Sequence, residues 1–284
     1  MTILSTKNLR PAKIRNAARR RLFEYEIPHT PMRQAPGGLI ELGSPSGGWT
    51  LPAGLIEPSW LCYSVGAGAD ISFDLELISR YGIRVRAFDA VEDYVRLAAE
   101  QAGGDPRFSA HHAAIATSDG PLLMQVTHDA QSGSVSSAGL YESHDYIELP
   151  GRSLRSLMSE LGDERIDLLK LDIEGGEYEV IPTLDLRALG VKIFAIQLHH
   201  TGSVRQARGL IALVRGAGFE PVACRYPVKL TFARSELIDL GAAPPLPRAG
   251  RRRRRPGGAP ERSGQGLLRD GRSHAPARPP SGED

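Results

Sequence analysis

The chain has 284 residues and only two cysteines, Cys62 and Cys224. They stand far apart and have no partner His or Cys at ligand spacing. That argues against a disulfide framework or a zinc site, and it fits a reducing cytoplasm. No run approaches the roughly 20 apolar residues that a membrane helix requires. The first 21 residues, MTILSTKNLRPAKIRNAARRR, contain no apolar h-region and no small-residue cleavage site, so a secretory signal is not expected. A phosphate loop of the G-x-x-x-x-G-K-[ST] type is absent, as is a Tyr-x-x-x-Lys pair of the short-chain dehydrogenase kind. The body of the chain is also short of positive charge. Residues 1–21 carry seven Lys/Arg and no acid, and residues 248–284 carry ten Arg against four acids. Between residues 22 and 247 this leaves 18 basic against 29 acidic side chains, a net of −11. A folded surface that binds nucleic acid needs clustered Lys/Arg, so no nucleic-acid partner is expected for that body.

What is present begins with apolar runs that alternate with helical periodicity. Trp60–Val65, Ile83–Phe88, Arg107–Ile115, Pro121–Thr127, Ile166–Leu171 and Val191–Leu198 suit strands. Helices fit residues 71–81, 91–101, 153–161 and 204–217, with Ser153 as a cap and Gly82 and Gly162 as stops. Alternation of this kind implies right-handed βαβ crossovers and a parallel sheet, an α/β fold. Phe219–Tyr226 and Val228–Ala233 read as two strands joined by a tight turn at Pro227. Residues 39–58 read as a β-hairpin about Ser-Pro-Ser-Gly-Gly, ahead of a main domain at 59–240. Residues 1–38 form a basic extension with a short helix within Ile14–Tyr25. Residues 241–284, mostly Pro, Gly, Arg, Ser and Ala, lack the apolar surface to order themselves. The polar stretch His128–Leu149 is either a connector or a loop on the substrate side.

Two turns carry the chemistry. The first strand enters Gly66-Ala67-Gly68-Ala69-Asp70, where glycines allow a tight turn and close approach of a ligand. The third glycine of the dinucleotide fingerprint is missing, and Asp70 would face the pyrophosphate. An NAD-dependent oxidoreductase is therefore disfavoured, and a cationic ligand such as a sulfonium is favoured. Asp89 ends the second strand about 20 residues later, where a carboxylate accepts ribose hydroxyls; an N-cap for the next helix is its plainer role. The stretch Arg165–Ile181, RIDLLKLDIEGGEYEVI, is a buried strand running into an acidic turn with Asp172, Glu174 and Glu177. Carboxylates at that end of a parallel strand lie where open sheets bind ligands, although helix starts are also acid-rich.

CYSVGAGADISFD, VRAFDA, HHAAIATSDG, ELPGRSLRSLMSEL, IDLLKLDIEGGEYEVI, FAIQLHH and FEPVACRYPVKLTFAR follow one another as in the FkbM-type methyltransferases. The chain resembles that family from about Leu39 to Ala233. The resemblance implies a Rossmann-like class I methyltransferase fold, with a seven-stranded, mostly parallel sheet and an antiparallel C-terminal strand. It also implies S-adenosylmethionine as methyl donor. On matching positions Ser64, Gly66, Ala67, Gly68 and Asp70 line the methionine end of the donor and Asp89 holds the ribose. His112, Ala113 and Ala114 then lie near the adenine, and Asp172 faces the junction of donor and acceptor. Many members have an acidic residue where Ser64 stands and a Glu where Gln197 stands, so an inactive fold acting as a scaffold is the alternative function.

The implied reaction is methyl transfer to a hydroxyl on a sugar or natural-product acceptor. A hydroxyl must lose a proton during attack, so a carboxylate or histidine within hydrogen-bond reach is required. Asp172, Glu174, His199 and His200 are the candidates, with Glu174 or His199 as base and Asp172 as an orienting group. No metal is expected.

Overall fold

The computed structural model describes residues 20–126, 135–136, 145–226 and 228–239, with side chains left out at 135–136 and 239. The basic N-terminal stretch 1–19, most of the polar segment 128–144, and residues 240–284 lie outside these.

Seven strands form the central sheet. They are β3 (Leu61–Val65), β4 (Arg84–Asp89), β5 (Phe108–His112), β10 (Leu168–Leu171), β11 (Ile193–Gln197), β12 (Phe219–Arg225) and β13 (Lys229–Arg234). Their spatial order is β12-β13-β11-β10-β3-β4-β5, and only the pairings of β13 are antiparallel. β3 is buried at every position, as is β10. Their side chains alternate between two apolar layers. Leu61, Tyr63, Val65, Leu169 and Leu171 enter one, whereas Cys62 and Leu168 enter the other. This is why both strands read as continuous apolar runs rather than alternating ones.

The helices cover both faces. They are α1 (Ser72–Tyr81), α2 (Glu92–Gln101), α3 (Leu154–Leu161), the single turn α4 (Glu177–Val180), α5 (Val204–Gly216) and α6 (Ser235–Asp239). Local chemistry sets their ends. Ser153 accepts the Ser156 N–H, and Ser203 and Gln206 form a full capping box on α5. Gly82 and Gly162 end α1 and α3 in the left-handed conformation.

The hairpin is present as β1 (Leu39–Leu42) and β2 (Trp49–Pro52). Its Leu42, Trp49 and Leu51 are buried with Trp60, Cys62, Phe73 and Leu77 of the main sheet and α1. Thr231 of β13 donates its hydroxyl to Thr50 O at 2.7 Å. Residues 20–26 are helical, and Phe23 and Ile27 join the opposite core layer.

The expected third strand, Arg107–Ile115, divides in two. β5 stays in the main sheet. β6 (Ala114–Ile115) leaves it for a second sheet with β7 (Gly120–Val126), β8 (Val135–Ser136) and β9 (Tyr146–Arg152), in the order β6-β9-β7-β8. β9 begins inside the stretch expected to be irregular. Its first residues, Tyr146 and Ile147, are exposed, so no buried stripe marked them.

The chain leaves β3 toward β4 and β5 on one side, and β10 continues toward β11 on the other. The carboxyl ends of β3 and β10 therefore flank the point where strand order splits, the position at which open α/β sheets form a crevice.

Candidate active site

A cavity of about 350 Å³ opens at that split. Its floor is the glycine turn. Gly66 has φ +73°, and a Cβ there would meet Asp172 O at 1.7 Å. This contact locks the end of β3 against the end of β10, and only glycine permits it. Gly68 has φ +63° and open space where a Cβ would stand. The Gly66 N–H donates to Phe88 O at 2.8 Å, fixing the turn to β4 as well.

Asp89 closes the second side. One carboxylate oxygen accepts the Gly68 N–H at 2.8 Å and the other accepts the Val91 N–H at 2.9 Å. Burial raises its pKa, and these two donors oppose the rise. It thus fixes the two turns to each other without capping the next helix, whose N-cap is Val91, while each oxygen keeps a lone pair for a further donor such as a ribose hydroxyl. Asp70 turns the other way. Its carboxylate accepts the Ser44 hydroxyl at 2.5 Å and the Ser72 N–H at 3.0 Å. Burial pushes its pKa up, but those hydrogen bonds win and hold it below the usual carboxylate value. Asp70 therefore ties the hairpin turn to the glycine turn.

The acidic turn after β10 forms the third wall. Glu174 occupies the left-handed region at φ 51°, an uncommon conformation for a side chain other than Asn, Asp or Gly. Its carboxylate lies on the cavity wall with that of Asp172. Behind them His199, nine-tenths buried, places Nε2 3.4 Å from Glu174 Oε2 and 3.8 Å from Asp172 Oδ1. Its Nδ1 lies 2.8 Å from Oε1 of Glu177, which is fully buried and also accepts the Ile173 N–H. The Gln197 amide nitrogen is 3.1 Å from His199 Nε2. Burial disfavours the imidazolium, yet Glu177, Asp172 and Glu174 together raise its pKa to about 9. At neutral pH, with these groups alone around it, the ring is protonated and cannot accept a proton.

The structure brings together Gly66, Ala67, Gly68, Asp70, Asp89, Ala113, Ala114, Asp172 and Glu174 on one cavity wall, with His199 in contact behind it. Besides His199, three expected residues do not reach the wall. Ser64 is fully buried within β3, one residue short of Val65, which does line the cavity. His112 is exposed, with its ring Nε2 3.0 Å from Ala90 O, because the chain turns inward only at Ala113. His200 lies past the end of β11, partly buried, and is not on the wall.

Sequence reasoning missed two buried lysines on the wall. Lys170 donates to Gly66 O, and Lys229 donates to Ser46 O at 2.8 Å and Gly48 O at 3.3 Å. Both amines stand over the Trp49 ring, at 6.0 and 5.0 Å from its centroid. Burial, aided by Lys170 and Arg225, lowers Lys229 to about 8 against the pull of Asp172 and Asp70. A signal existed for Lys170, which interrupts an otherwise apolar strand, and lysines are seldom buried without a purpose; Lys229 opens a strand of mixed composition and gave none. Tyr94 of α2 and the apolar Val91, Ile115 and Met124 complete the far end.

The cavity fits S-adenosylmethionine. Gly68 offers an unobstructed cradle, Asp89 keeps acceptor capacity for a ribose, and Ala113, Ile115 and Met124 suit an adenine. Asp172 Oδ1, buried without a hydrogen-bond partner, suits a neighbouring positive charge. Strand order and a cleft at the split define a Rossmann-like class I methyltransferase. The sequence profile of the Methyltransferase FkbM domain matches residues 64–221, more than half of the chain. The chain belongs to the FkbM methyltransferase family, and membership implies S-adenosylmethionine as the methyl donor.

No curated protein matches the chain. Among solved structures, the fibrillarin pre-rRNA processing protein of Methanococcus jannaschii is 10% identical. It covers 63% of this chain and 68% of that one, with a TM-score of 0.39. Precorrin-6y C5,15-methyltransferase from Geobacter metallireducens is 12% identical over 63% and 84%, with a TM-score of 0.37. The human methyltransferase 10 domain containing protein is 14% identical over 62% and 72%, also at 0.37. The fold class rests on strand order and family, not on these partial likenesses.

Proposed function

We propose that the protein methylates a hydroxyl oxygen on a sugar or natural-product acceptor. The observation that carries this reading is the corner formed by Asp172, Glu174 and His199, which adjoins the glycine turn on the same cavity. When bound, S-adenosylmethionine supplies an electrophilic methyl group on a sulfonium. Gly66, Ala67, Gly68 and Asp89 hold and orient it, with Ala113 and Ala114 beside the adenine. Asp172 faces the junction of donor and acceptor. Glu174, the more exposed carboxylate, lies within reach of the acceptor and takes its proton. His199, protonated and held by Glu177, places a positive charge beside the two cavity carboxylates. Positioning and exclusion of water supply much of the rate in an in-line methyl displacement.

No helix among the described residues is long and apolar enough to cross a membrane. Both cysteines are free. We place the enzyme in the cytoplasm, acting on a small molecule or glycan rather than on nucleic acid.

The test is a screen of glycans and natural-product alcohols with methyl-labelled donor, alongside the variants Glu174→Gln and His199→Ala. Turnover by the wild type that falls at least 100-fold in Glu174→Gln is expected. Full turnover in both variants would remove the base assignment. Donor binding without turnover on any acceptor would favour a scaffold that has lost its chemistry.

A further inference from the structure

The corner that takes the acceptor's proton has the spacing of a metal centre. We propose that Asp172, Glu174 and His199 hold a divalent cation of the Mn²⁺ type, which binds the acceptor through two adjacent oxygens. This rests on the methyl-transfer reading above and names the acceptor class within it: a vicinal diol or an α-hydroxy acid.

The geometry comes first. One donor atom from each residue lies within 4.8 Å of the others, and among the described residues this is the one such cluster. Donors about 2.1 Å from a common ion stand about 3.0 Å apart in an octahedron and about 3.4 Å apart in a tetrahedron. The observed 3.4 and 3.8 Å from Nε2 lie within 1 Å of these values, and the two carboxylate oxygens stand no more than 4.8 Å apart, the pair that must close furthest.

The second observation is the backing of the histidine. Its Nδ1 is engaged by the fully buried Glu177, so Nε2 alone faces the carboxylates. A carboxylate behind an imidazole fixes the tautomer and turns the other nitrogen into a ligand. The third is Asp172 Oδ1, 3.8 Å from Nε2, which is inaccessible to solvent and has no hydrogen-bond partner. The proton on Nε2 gives this corner one positive charge without a hydrogen bond to the oxygen, and a divalent cation in the proton's place would contact the oxygen directly. Gln197 also faces Nε2, and a half-turn of its amide presents the oxygen in place of the nitrogen.

Two hard carboxylates and one imidazole suit Mn²⁺ or its neighbours better than a soft thiophilic ion. Three protein ligands leave about three octahedral positions open toward the cavity, enough for two acceptor oxygens and a water. An acceptor hydroxyl on the ion would lose its proton more readily, and with Glu174 engaged as a ligand that proton passes to solvent instead of to Glu174. Its oxygen then bonds to the methyl carbon while the carbon–sulfur bond breaks and the electron pair stays on sulfur. The products are a methyl ether, S-adenosylhomocysteine and the released proton.

The experiment uses the full chain, dialysed against chelator and then titrated with Mn²⁺ under electron paramagnetic resonance. S-adenosylmethionine binding is followed separately by calorimetry. One bound Mn²⁺ per chain and a rise in melting temperature on its addition are expected. His199→Ala and Asp172→Asn should weaken Mn²⁺ by 100-fold or more. Glu177→Gln, which removes only the backing charge, should weaken it about 10- to 100-fold while near-ultraviolet dichroism stays native. Donor binding with no Mn²⁺ bound overturns the cation site and leaves the methyl-transfer reading standing. Equal Mn²⁺ affinity in wild type, His199→Ala and Asp172→Asn overturns the site as well. Loss of donor binding in the wild type overturns both.

Discussion

At the scale of single residues, Gly66 and Gly68 look alike in sequence and do different work. A Cβ at Gly66 would overlap Asp172 O, and the residue has positive φ. Gly66→Ala should therefore cost at least ~2 kcal/mol in urea unfolding, since strain and overlap add. Gly68 has the same backbone sign but open space above it. Gly68→Ala should cost only about 1 kcal/mol, yet place a methyl where the donor approaches. Calorimetry should show donor affinity falling at least tenfold in a protein that unfolds almost normally. Equal losses of stability in the two variants would contradict this division.

Lys229 offers a pH test at the same scale. Its folded pKa is about 8, against 10.5 for the unfolded chain. Between those values the unfolded state binds more protons, so stability rises with pH. The contribution is fully present above 10.5 and is lost as pH falls through about 8. The shift corresponds to roughly 3 kcal/mol at most. Lys229→Met removes this titration, so wild type should gain stability relative to the variant between pH 8 and 10 in urea melts. Parallel pH profiles would show that the amine is better solvated than its burial and partners imply.

At the scale of elements, most of the main sheet was legible because its strands are buried on both faces and its helices carry ordinary caps. Ser153 and Ser203 are serines at the start of apolar periodicity, and both cap. Ser203→Ala should cost about 1 kcal/mol of stability and leave donor titration unchanged, because α5 contributes nothing to the cavity wall. The second sheet was not legible as such. β6 is two residues long and continuous in sequence with β5, and β9 starts with exposed residues. Neither has a periodicity that could announce a change of sheet. The hairpin was legible as a hairpin but not as a cavity wall. Its Trp49 is 1% exposed and lies beneath two lysine amines, a placement decided by tertiary contacts from β10 and β13. Trp49→Ala should cost about 3–5 kcal/mol and also weaken donor binding, both measurable on the same sample. In the acidic turn the sequence announced carboxylates, whereas the protonation of His199 follows from Glu177, a residue that reads as an ordinary first-turn acid.

For the whole molecule the question is where the activity is housed. We take residues 59–240 as the methyltransferase domain, with the hairpin 39–58 before it, a basic extension at 1–38 and a tail at 241–284. All residues on the cavity wall lie from Ser46 to Lys229. The body between residues 22 and 247 carries the excess of acid, and the basic residues concentrate at both ends. A chain ending at Pro244 should thus bind S-adenosylmethionine within about twofold of the full chain and show the same melting temperature. Its association with a non-specific polynucleotide should differ, because phosphate binding follows clustered Arg and Lys and weakens steeply with salt. The full chain should show weak association that disappears between about 50 and 200 mM salt, and the shortened chain should show less at every salt concentration. Polynucleotide affinity that survives the deletion and resists salt would place a nucleic-acid contact on the acidic body itself. It would then move the acceptor from a small hydroxyl compound toward a nucleic acid.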